Sequence, residues 1–150
     1  MTREDARVWR EGMAGRLVFT NGVFDLLHPG HVDILTGARA LGDALVVGLN
    51  TDDSVRRLKG PLRPVRSESE RAYVLAALEA VDAVVMFDED TPVDLVIALR
   101  PDVIAKGGDY AEETIAGASE VKGWGGEVVV IPLTSGQSTT SIIEKLSARE

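Results

Sequence analysis

The sequence predicts an α/β fold, a doubly wound five-stranded parallel sheet in a single domain with helices on both faces. Short apolar runs alternate along the chain with segments whose apolar residues recur at helical spacing, which is typical of parallel strands joined by crossover helices. The run at 44–49 is almost continuously apolar, as expected of a strand that is covered on both faces. The loops rich in glycine, histidine and hydroxyl side chains each follow a predicted strand, so we expect them to converge at one edge of the sheet.

The order of the elements follows from the same pattern. The chain is expected to begin with a helical segment at 3–14, anchored to the domain by Val8, Trp9 and Met13. The predicted strands lie at 16–20, 44–49, 83–87, 103–105 and 128–131, and the predicted helices at 29–41, 51–59, 67–80, 91–100, 112–122 and 138–146.

Capping residues and prolines mark where several of these helices begin. Ser67 and Glu70 fit a capping box of the S-x-x-E type. Pro29 and Pro92 each stand at a predicted helix start, where the missing N–H would have no partner in any case. Four apolar residues of the helix after Ser67 fall at helical spacing and are predicted to lie in the core: Tyr73, Val74, Ala77 and Leu78.

Length and composition indicate an ordinary globular domain. The chain has 150 residues, of which 45% are hydrophobic and 27% charged. Its longest apolar runs are too short to cross a bilayer, and no apolar segment follows the mixed charges at the N-terminus, so neither a membrane partner nor a secretory signal is expected. There is no cysteine, which excludes disulfides and thiolate chemistry and is compatible with the cytoplasm.

Charge is distributed unevenly. The net charge of −8 argues against a nucleic-acid partner. Residues 56–71, which we call the basic island, nevertheless contain five arginines and one lysine against two glutamates, a local net charge of +4. A basic island in an acidic chain favours a compact anionic ligand. The alternative is a solvated basic loop without a ligand.

The two histidines of the chain lie together at a predicted strand-to-helix junction. His28 precedes Pro29 and Gly30, and His31 falls in the first turn of the predicted helix. Free backbone N–H groups and the positive end of the helix dipole attract phosphate at such a position. One alternative is that both are ordinary polar residues of a helix start. A zinc pair is the other, but the chain has no cysteine and no third ligand at a recognisable spacing.

Other phosphate-binding motifs are absent or weak. Neither G-x-G-x-x-G nor a P-loop occurs, so a dinucleotide-binding oxidoreductase is not favoured. Ser138, Thr139 and Thr140 place three hydroxyls at a predicted helix start, where they could donate to phosphate oxygens. Simple N-capping needs only one of them and stays open. Residues 106–109, which end in Gly108 and Asp109, could equally form a plain turn.

Taken together, these segments resemble a known family. His28-Pro29-Gly30-His31 looks like the H-x-G-H motif of the nucleotidyltransferase superfamily. Phe87-Asp88-Glu89-Asp90-Thr91-Pro92, Lys106-Gly107-Gly108-Asp109-Tyr110 and Ser138-Thr139-Thr140 make the chain most similar to the heptose 1-phosphate adenylyltransferases, which occur alone or as one half of a bifunctional kinase–adenylyltransferase. The resemblance spans about residues 16–146 and implies a Rossmann-like nucleotidyltransferase domain at 16–150, after an N-terminal helical segment at 1–15.

The resemblance also implies an activity and a site. Such enzymes transfer AMP from ATP to a sugar 1-phosphate with Mg²⁺, releasing pyrophosphate and supplying ADP-heptose for lipopolysaccharide. Catalytic roles are implied for His28, His31 and Lys59, and substrate contacts for Asp25, Lys59 and Arg71. The implied nucleotide-binding residues are Thr20, Asn21, Gly22, Phe24, His28, His31, Gly108, Asp109, Ser138, Thr139 and Thr140. No protein cage is expected for Mg²⁺, which phosphate oxygens and water usually hold.

Two other functions stay open on the sequence. Glycerol-3-phosphate cytidylyltransferases share the histidine motif, but they typically carry Arg-Thr-Glu-Gly where this chain has Leu133-Thr134-Ser135-Gly136. A non-catalytic, nucleotide-binding regulatory module is the other alternative, and retention of both histidines, Lys59 and the three hydroxyls argues against it. By resemblance we further expect a homodimer and cooperation with a separate heptose kinase.

Overall fold

A parallel sheet of five strands forms the centre of the molecule in a computed structural model, which describes residues 1–108, 111–132 and 146. The strand order is β3-β2-β1-β4-β5. The strands are β1 (Leu17–Gly22), β2 (Ala44–Asn50), β3 (Ala83–Phe87), β4 (Val103–Gly107) and β5 (Glu127–Ile131). The helices are α1 (Arg3–Glu11), α2 (Pro29–Arg39), α3 (Asp52–Lys59), α4 (Glu68–Ala76), α5 (Val93–Leu99) and α6 (Ala118–Gly123), with a 3₁₀ turn at Glu112–Thr114.

Apolar side chains cover the sheet on both faces, as the sequence predicts. On one face, Leu17 and Phe19 of β1 pack with buried residues of α1, α5 and α6. On the other face, Val18 packs with residues of α2 and α4. Side chains alternate between the two faces along a strand, so the continuous apolar run of a central strand supplies both cores. The predicted doubly wound α/β fold is confirmed.

The strand order changes direction at β1, where the chain crosses from β3-β2 on one side to β4-β5 on the other. Ligands of open α/β sheets bind at such a switch point, beyond the carboxyl ends of the strands. β1 pairs with β2 along its whole length, from Leu17–Ala44 to Gly22–Leu49. It pairs with β4 only at Val18–Val103 and Phe19–Ile104, so the sheet opens between β1 and β4 towards the histidine loop.

Carboxylates satisfy backbone donors where the strands begin. The Asp102 carboxylate accepts hydrogen bonds from the Leu17 N–H at 2.8 Å and from the Arg10 guanidinium at 3.0 Å. Asp82 accepts in the same way from the Leu45 N–H at 2.8 Å. These contacts connect the edge of the sheet opposite the histidines to the helices that cover it.

Several predicted elements differ in detail. The predicted helix at 112–122 is wrong: a 3₁₀ turn and α6 replace it, separated by Gly117 at φ +89°. A Cβ on Gly117 would lie 3.1 Å from Ile104 and 3.2 Å from Val96, so this turn requires glycine both for its backbone angle and for its packing. β4 runs on to Gly107, so Lys106 lies in a strand. The predicted terminal helix at 138–146 lies outside the described residues, except for position 146.

The core face of α4 is also different from the prediction. Tyr73 is 80% exposed, Val74 is 38% exposed, and Ala77 lies on the surface. The buried residues of α4 are Arg71 and Leu75, because the helix turns its arginine inward towards buried backbone carbonyls. At the N-terminus, Trp9 and Met13 pack against the core as predicted, whereas Val8 is 55% exposed.

Of the helices in the described part of the chain, none has the length and apolarity needed to cross a membrane.

We predict that Asp102→Ala lowers the free energy of unfolding by about 1–2 kcal/mol, because it removes the acceptor of a buried backbone donor and of Arg10. Chemical denaturation would measure the change. Glu79→Ala, which removes an exposed carboxylate, is the control and should shift stability by less than about 0.5 kcal/mol. Equal effects of the two substitutions would contradict the structural role of Asp102.

Candidate active site

The histidine loop connects the end of β1 to the start of α2. β1 ends at Gly22 and α2 begins at Pro29, so residues 23–28 leave the sheet and return as a helix that packs over β1 and β4. His28 is the N-cap residue of α2, and His31 occupies the third helical position. Both imidazoles therefore lie at the positive end of the helix dipole, beside the opening between β1 and β4.

The two imidazole rings stack on one another. Their centroids are 3.7 Å apart, with an interplanar angle of 25°. The backbone N–H of His28 donates to Nδ1 of His31 at 3.3 Å. Nδ1 of His31 accepts in this bond, so the proton of the neutral ring belongs on Nε2, which is then a donor.

His28 contributes two polar ring atoms that have no partner in the described part of the chain. The residue is 8% exposed, and both of its ring nitrogens are buried without a hydrogen-bond partner among the described residues. A buried polar group without a partner is destabilising. Its presence at a helix start indicates a site prepared for a polar ligand.

Burial also controls the charge of the pair. Burial lowers the pKa of His31 to about 4, and the neighbouring His28 contributes to the shift. Burial lowers the pKa of His28 as well. Both rings are therefore neutral at pH 7, and each carries one N–H donor.

Phe24 sets the orientation of His31. Its ring meets the His31 ring edge-on, with centroids 5.4 Å apart and an interplanar angle of 61°. Phe24 has a φ of +49°, an uncommon backbone angle for a residue with a side chain. A Cβ on Gly22 would lie 2.9 Å from the Phe24 ring, so glycine is required at 22 for the ring to fold back over β1. Gly22, Phe24 and His31 therefore form one packed unit.

Asp25 joins the histidine loop to the basic island. Its carboxylate is fully buried and accepts hydrogen bonds from the N–H groups of Val65 and Arg66, each at 2.9 Å, and from the Arg63 guanidinium at 3.0 Å. Burial alone would raise the pKa of Asp25, but these donors outweigh it and lower the pKa. Asp25 is therefore ionised and holds residues 63–66 beside the histidine loop.

Arg71 also holds the histidine loop beside the basic island. The residue is 1% exposed and donates to the carbonyls of Val23 and Asn50, each at 2.8 Å, and to the Asp52 carboxylate at 2.8 Å. A fourth bond, of 3.1 Å, goes to the carbonyl of Arg66. Arg71 thus connects the histidine loop, the end of β2 and the basic island.

Two residues that are predicted to contact substrate also hold the site together from within. The side chains of Asp25 and Arg71 are buried, and their polar atoms bond to protein groups, while both residues line the cleft beside the histidine loop. Their predicted substrate contacts stay predictions.

The other predicted residues that the structure describes surround the switch point. Thr20 is buried in β1, and Asn21 is half-buried beside it. Gly108 follows β4, where its N–H donates to the Ile131 carbonyl at 3.0 Å. Lys59 is the exposed last residue of α3. Asp109, Ser138, Thr139 and Thr140 lie outside the described residues, so their predicted roles stay predictions.

Lys106 is a candidate that the sequence analysis did not assign to the site. Its ammonium donates to the carbonyl of Asn21 at 3.0 Å. Burial lowers the pKa of Lys106, and the nearby charge of Lys59 lowers it further. A lysine near the end of an otherwise apolar strand, at the edge of the sheet that binds ligands, is the signal that could have identified it.

A cleft of about 260 Å³ opens beside the histidine loop. Its lining includes Phe24, Asp25, Leu26, Leu27 and Arg66. The cleft borders the loop that carries the histidines, so it is a candidate subsite for a second substrate.

Comparison with known proteins identifies the family. The model of a family described as cytidylyltransferase-like matches residues 19–145. The chain belongs to the cytidylyltransferase-like family. The matched segment contains the whole histidine loop, strands β2 to β5 and all of β1 except its first two residues. The predicted nucleotidyltransferase superfamily is confirmed.

Two relatives illustrate the similarity. The bifunctional protein HldE of Methylobacillus flagellatus is 61% identical over 140 residues, which cover 93% of this chain and 28% of that protein. The bifunctional protein HldE of Caulobacter vibrioides is 55% identical over 149 residues, covering 97% of this chain and 31% of that protein. The chain therefore spans less than a third of the length of these cytidylyltransferase-like relatives.

Solved structures agree on the fold. A lipopolysaccharide core biosynthesis protein from Thermoplasma volcanium has a TM-score of 0.65 and 30% identity, covering 81% of this chain and 98% of that protein. The pantoate-β-alanine ligase from Francisella tularensis has a TM-score of 0.64 and 13% identity, with 96% of this chain and 71% of that protein covered. The similarity to the pantoate-β-alanine ligase, at 13% identity, shows only that the two proteins share a fold.

The lowered pKa of His31 predicts a loss of stability in mild acid. The unfolded chain binds a proton at His31 near the ordinary pKa of 6.5, whereas the folded chain does so only near 4. Stability from this group is therefore complete above pH 6.5 and falls as the pH drops towards 4. We expect thermal melting from pH 7 to 5 to show a larger decrease for the wild type than for His31→Gln.

Glutamine keeps an acceptor at the third helical position and does not titrate in this range. The wild type and His31→Gln have the same carboxylates. Their effect on the pH dependence of the melting temperature therefore cancels when the two proteins are compared. If the melting temperatures of the two proteins fall by the same amount from pH 7 to 5, His31 is not held neutral in the folded protein.

Proposed function

We propose that this domain is an adenylyltransferase that transfers AMP from ATP to a sugar 1-phosphate, D-glycero-D-manno-heptose 1-phosphate, and releases pyrophosphate. The observation that carries the proposal is the stacked pair of neutral histidines at the start of α2, in which both buried ring nitrogens of His28 lack a described partner. Family membership and the similarity to bifunctional HldE proteins support it.

The proposed reaction is an in-line displacement at the α-phosphorus of ATP. A phosphate oxygen of the sugar 1-phosphate forms the new P–O bond, and the bond to the pyrophosphate oxygen breaks. A phosphate monoester is already anionic at pH 7, so the reaction requires no general base. The protein has to position the two substrates and stabilise the negative charge that develops on the α-phosphate and on the leaving group.

His28 and His31 have the required properties as donors. Their rings are neutral and fixed by stacking on one another, with His28 buried and His31 half-buried. Donors that are already oriented in a water-poor site stabilise transition-state charge without reorganisation. The dipole of α2 adds positive potential at the same place. We assign the N–H of each ring to the oxygens of the α- and β-phosphates.

The remaining predicted residues complete the proposal. Lys59 would bridge the phosphates of the two substrates, and Ser138, Thr139 and Thr140 would hold the leaving pyrophosphate. Asp25 and Arg71 act as positioning residues, because they fix the basic island against the histidine loop.

Magnesium is proposed to enter with the nucleotide. Among residues 1–108, 111–132 and 146, no three His, Asp or Glu side chains form a group that could hold a metal ion. Phosphate oxygens and water usually hold such an ion, and we propose the same here. When bound to ATP, Mg²⁺ would offset charge on the triphosphate.

A second candidate is cytidylyl transfer to glycerol 3-phosphate. The name of the matching family favours it. The absence of the Arg-Thr-Glu-Gly sequence at 133–136, and the similarity to HldE proteins along nearly the whole chain, favour adenylyl transfer. A homodimer in the cytoplasm and a heptose kinase that supplies the sugar 1-phosphate remain part of the proposal.

Pyrophosphate release from purified protein tests the activity directly. ATP, CTP, GTP and UTP would each be combined with Mg²⁺ and with heptose 1-phosphate, glycerol 3-phosphate or other sugar phosphates. We expect release with ATP and heptose 1-phosphate. Release with CTP and glycerol 3-phosphate alone would replace the proposal with the second candidate. ATP binding without release in any combination would indicate a regulatory module.

Single substitutions test the role of the histidine pair. We expect His28→Ala and His31→Ala each to lower kcat by about 10²–10³ or more, the usual loss for one transition-state donor. The melting temperature of His28→Ala should stay near that of the wild type, since His28 makes no described side-chain hydrogen bond in the folded protein. That of His31→Ala should fall slightly, because His31 accepts the His28 backbone N–H and packs on Phe24. A large fall in melting temperature with little change in kcat would assign the histidines a structural role instead.

A further inference from the structure

The C-terminal end of β4 lies against the helix that carries the two histidines. Gly107 is the last residue of β4, and its φ lies outside the positive region that favours glycine, so its backbone could accept another residue. A Cβ built on Gly107 would nevertheless overlap Cδ1 of Ile34 and lie 2.8 Å from its Cγ1 and 3.3 Å from its Cγ2. Carbon atoms in ordinary contact are about 3.5–4.0 Å apart. Only glycine therefore fits at this position while α2 stays where it is.

Neither side of this contact yields readily. Ile34 is β-branched, and a β-branched side chain in a helix has one strongly preferred χ1 rotamer, so rotation of Ile34 away from a new methyl group is costly. On the strand side, Gly107 pairs with Ile131 of β5, and the N–H of Gly108 donates to the Ile131 carbonyl at 3.0 Å. An added Cβ would therefore displace α2 from the sheet, by a distance on the order of 1 Å.

Such a displacement would move the histidines. Ile34 follows His31 by three residues, so the two side chains are neighbours on one face of α2. His31 stacks on His28 and meets the ring of Phe24 edge-on. Phe24 belongs to the loop before α2, and its ring rests against Gly22 of β1. A shift of α2 would therefore change the position of His31 relative to Phe24 and to the ends of the strands.

We propose that Gly107 is a positioning residue of the active site, whose lack of a side chain lets Ile34 set the distance between α2 and β4 and thereby the location of the two imidazoles. The inference rests on the proposed function, which assigns the imidazoles to the phosphates of ATP. It also gives glycine at this strand end a role that depends on helix packing and not on a turn.

Paired substitutions test the contact. We expect Gly107→Ala to lower kcat for pyrophosphate release from ATP and heptose 1-phosphate by about tenfold to a hundredfold, because a misplacement of about 1 Å can have an effect of that size. The KM for ATP should change little, since the histidines are proposed to act in the transition state. Ile34→Ala removes the three atoms that a new Cβ would meet. In the Ile34→Ala background, Gly107→Ala should therefore leave kcat unchanged or raise it.

Gly37→Ala is the matched control. Gly37 is also on α2, but a Cβ there would lie 3.6 Å from Cδ1 of Ile131, which is an ordinary contact. The same methyl group on the same helix should therefore leave kcat unchanged. If Gly107→Ala does not fold, Ile34→Ala and the double variant still provide the comparison, because the new methyl group has room once Ile34 is truncated.

NMR signals of the imidazoles test the inference without turnover. The chain contains only two histidines, so their ring-proton signals can be assigned with single substitutions. Contacts with neighbouring aromatic rings determine the chemical shifts of the His31 ring protons. We expect Gly107→Ala to shift these signals and Gly37→Ala to leave them in place. Adding Ile34→Ala to Gly107→Ala should return them towards their wild-type positions.

Two results would overturn the proposal. If Gly107→Ala lowers kcat by the same factor whether residue 34 is isoleucine or alanine, the new methyl group acts on the substrate directly and not through α2. If Gly107→Ala leaves both kcat and the His31 ring signals unchanged, Gly107 does not position the histidines. Wild-type protein that releases no pyrophosphate would reject the proposed function, whereas the NMR comparison would still test the position of α2.

Discussion

The buried charges of Asp25 and Arg71 are the constraint on which the site depends. Asp25 accepts from the backbone of residues 65 and 66, and Arg71 donates to the carbonyls of Val23 and Asn50. The histidine loop, the end of β2 and the basic island come from three separate parts of the sequence, and these two side chains bond to all three. Buried charges are costly unless they are fully paired. The pairing is satisfied only when all three segments are in place, so the two residues favour a single arrangement of the loops.

The sheet positions the site, and the loops that follow its strands carry the side chains that can bind a ligand. β1 is the strand that both halves of the sheet share, and it ends where its pairing with β4 has already stopped. The histidines then leave the sheet on a loop whose path requires Gly22 beneath the Phe24 ring. Because Phe24, His31 and His28 pack in series, ring packing orients the donors, together with the hydrogen bond from the His28 backbone N–H to Nδ1 of His31. This arrangement keeps the ring N–H groups available to a ligand.

Much of this could be predicted from the sequence because it depends on local signals. All five strands follow from apolar runs, and the side chain of Ser67 caps α4 through the N–H of Glu70, as the S-x-x-E pattern indicates. The histidine motif located the site. The buried face of α4 could not be predicted from apolar spacing, because its buried polar member is Arg71, whose acceptors come from Val23, Asn50 and Asp52. Lys106 was missed for a related reason, since its significance depends on the separation of β1 from β4.

The ring nitrogens of His28 find no partner within residues 1–108, 111–132 and 146, so this position favours ligand binding at the expense of stability. An apolar side chain of similar size at residue 28 would remove two buried polar atoms without breaking a described side-chain hydrogen bond. Laboratory evolution that selects for thermal stability alone would therefore favour leucine or phenylalanine at position 28. The resulting proteins would be more stable but would lack the proposed activity. A programme to stabilise this domain has to hold residue 28 constant or select for turnover in every round.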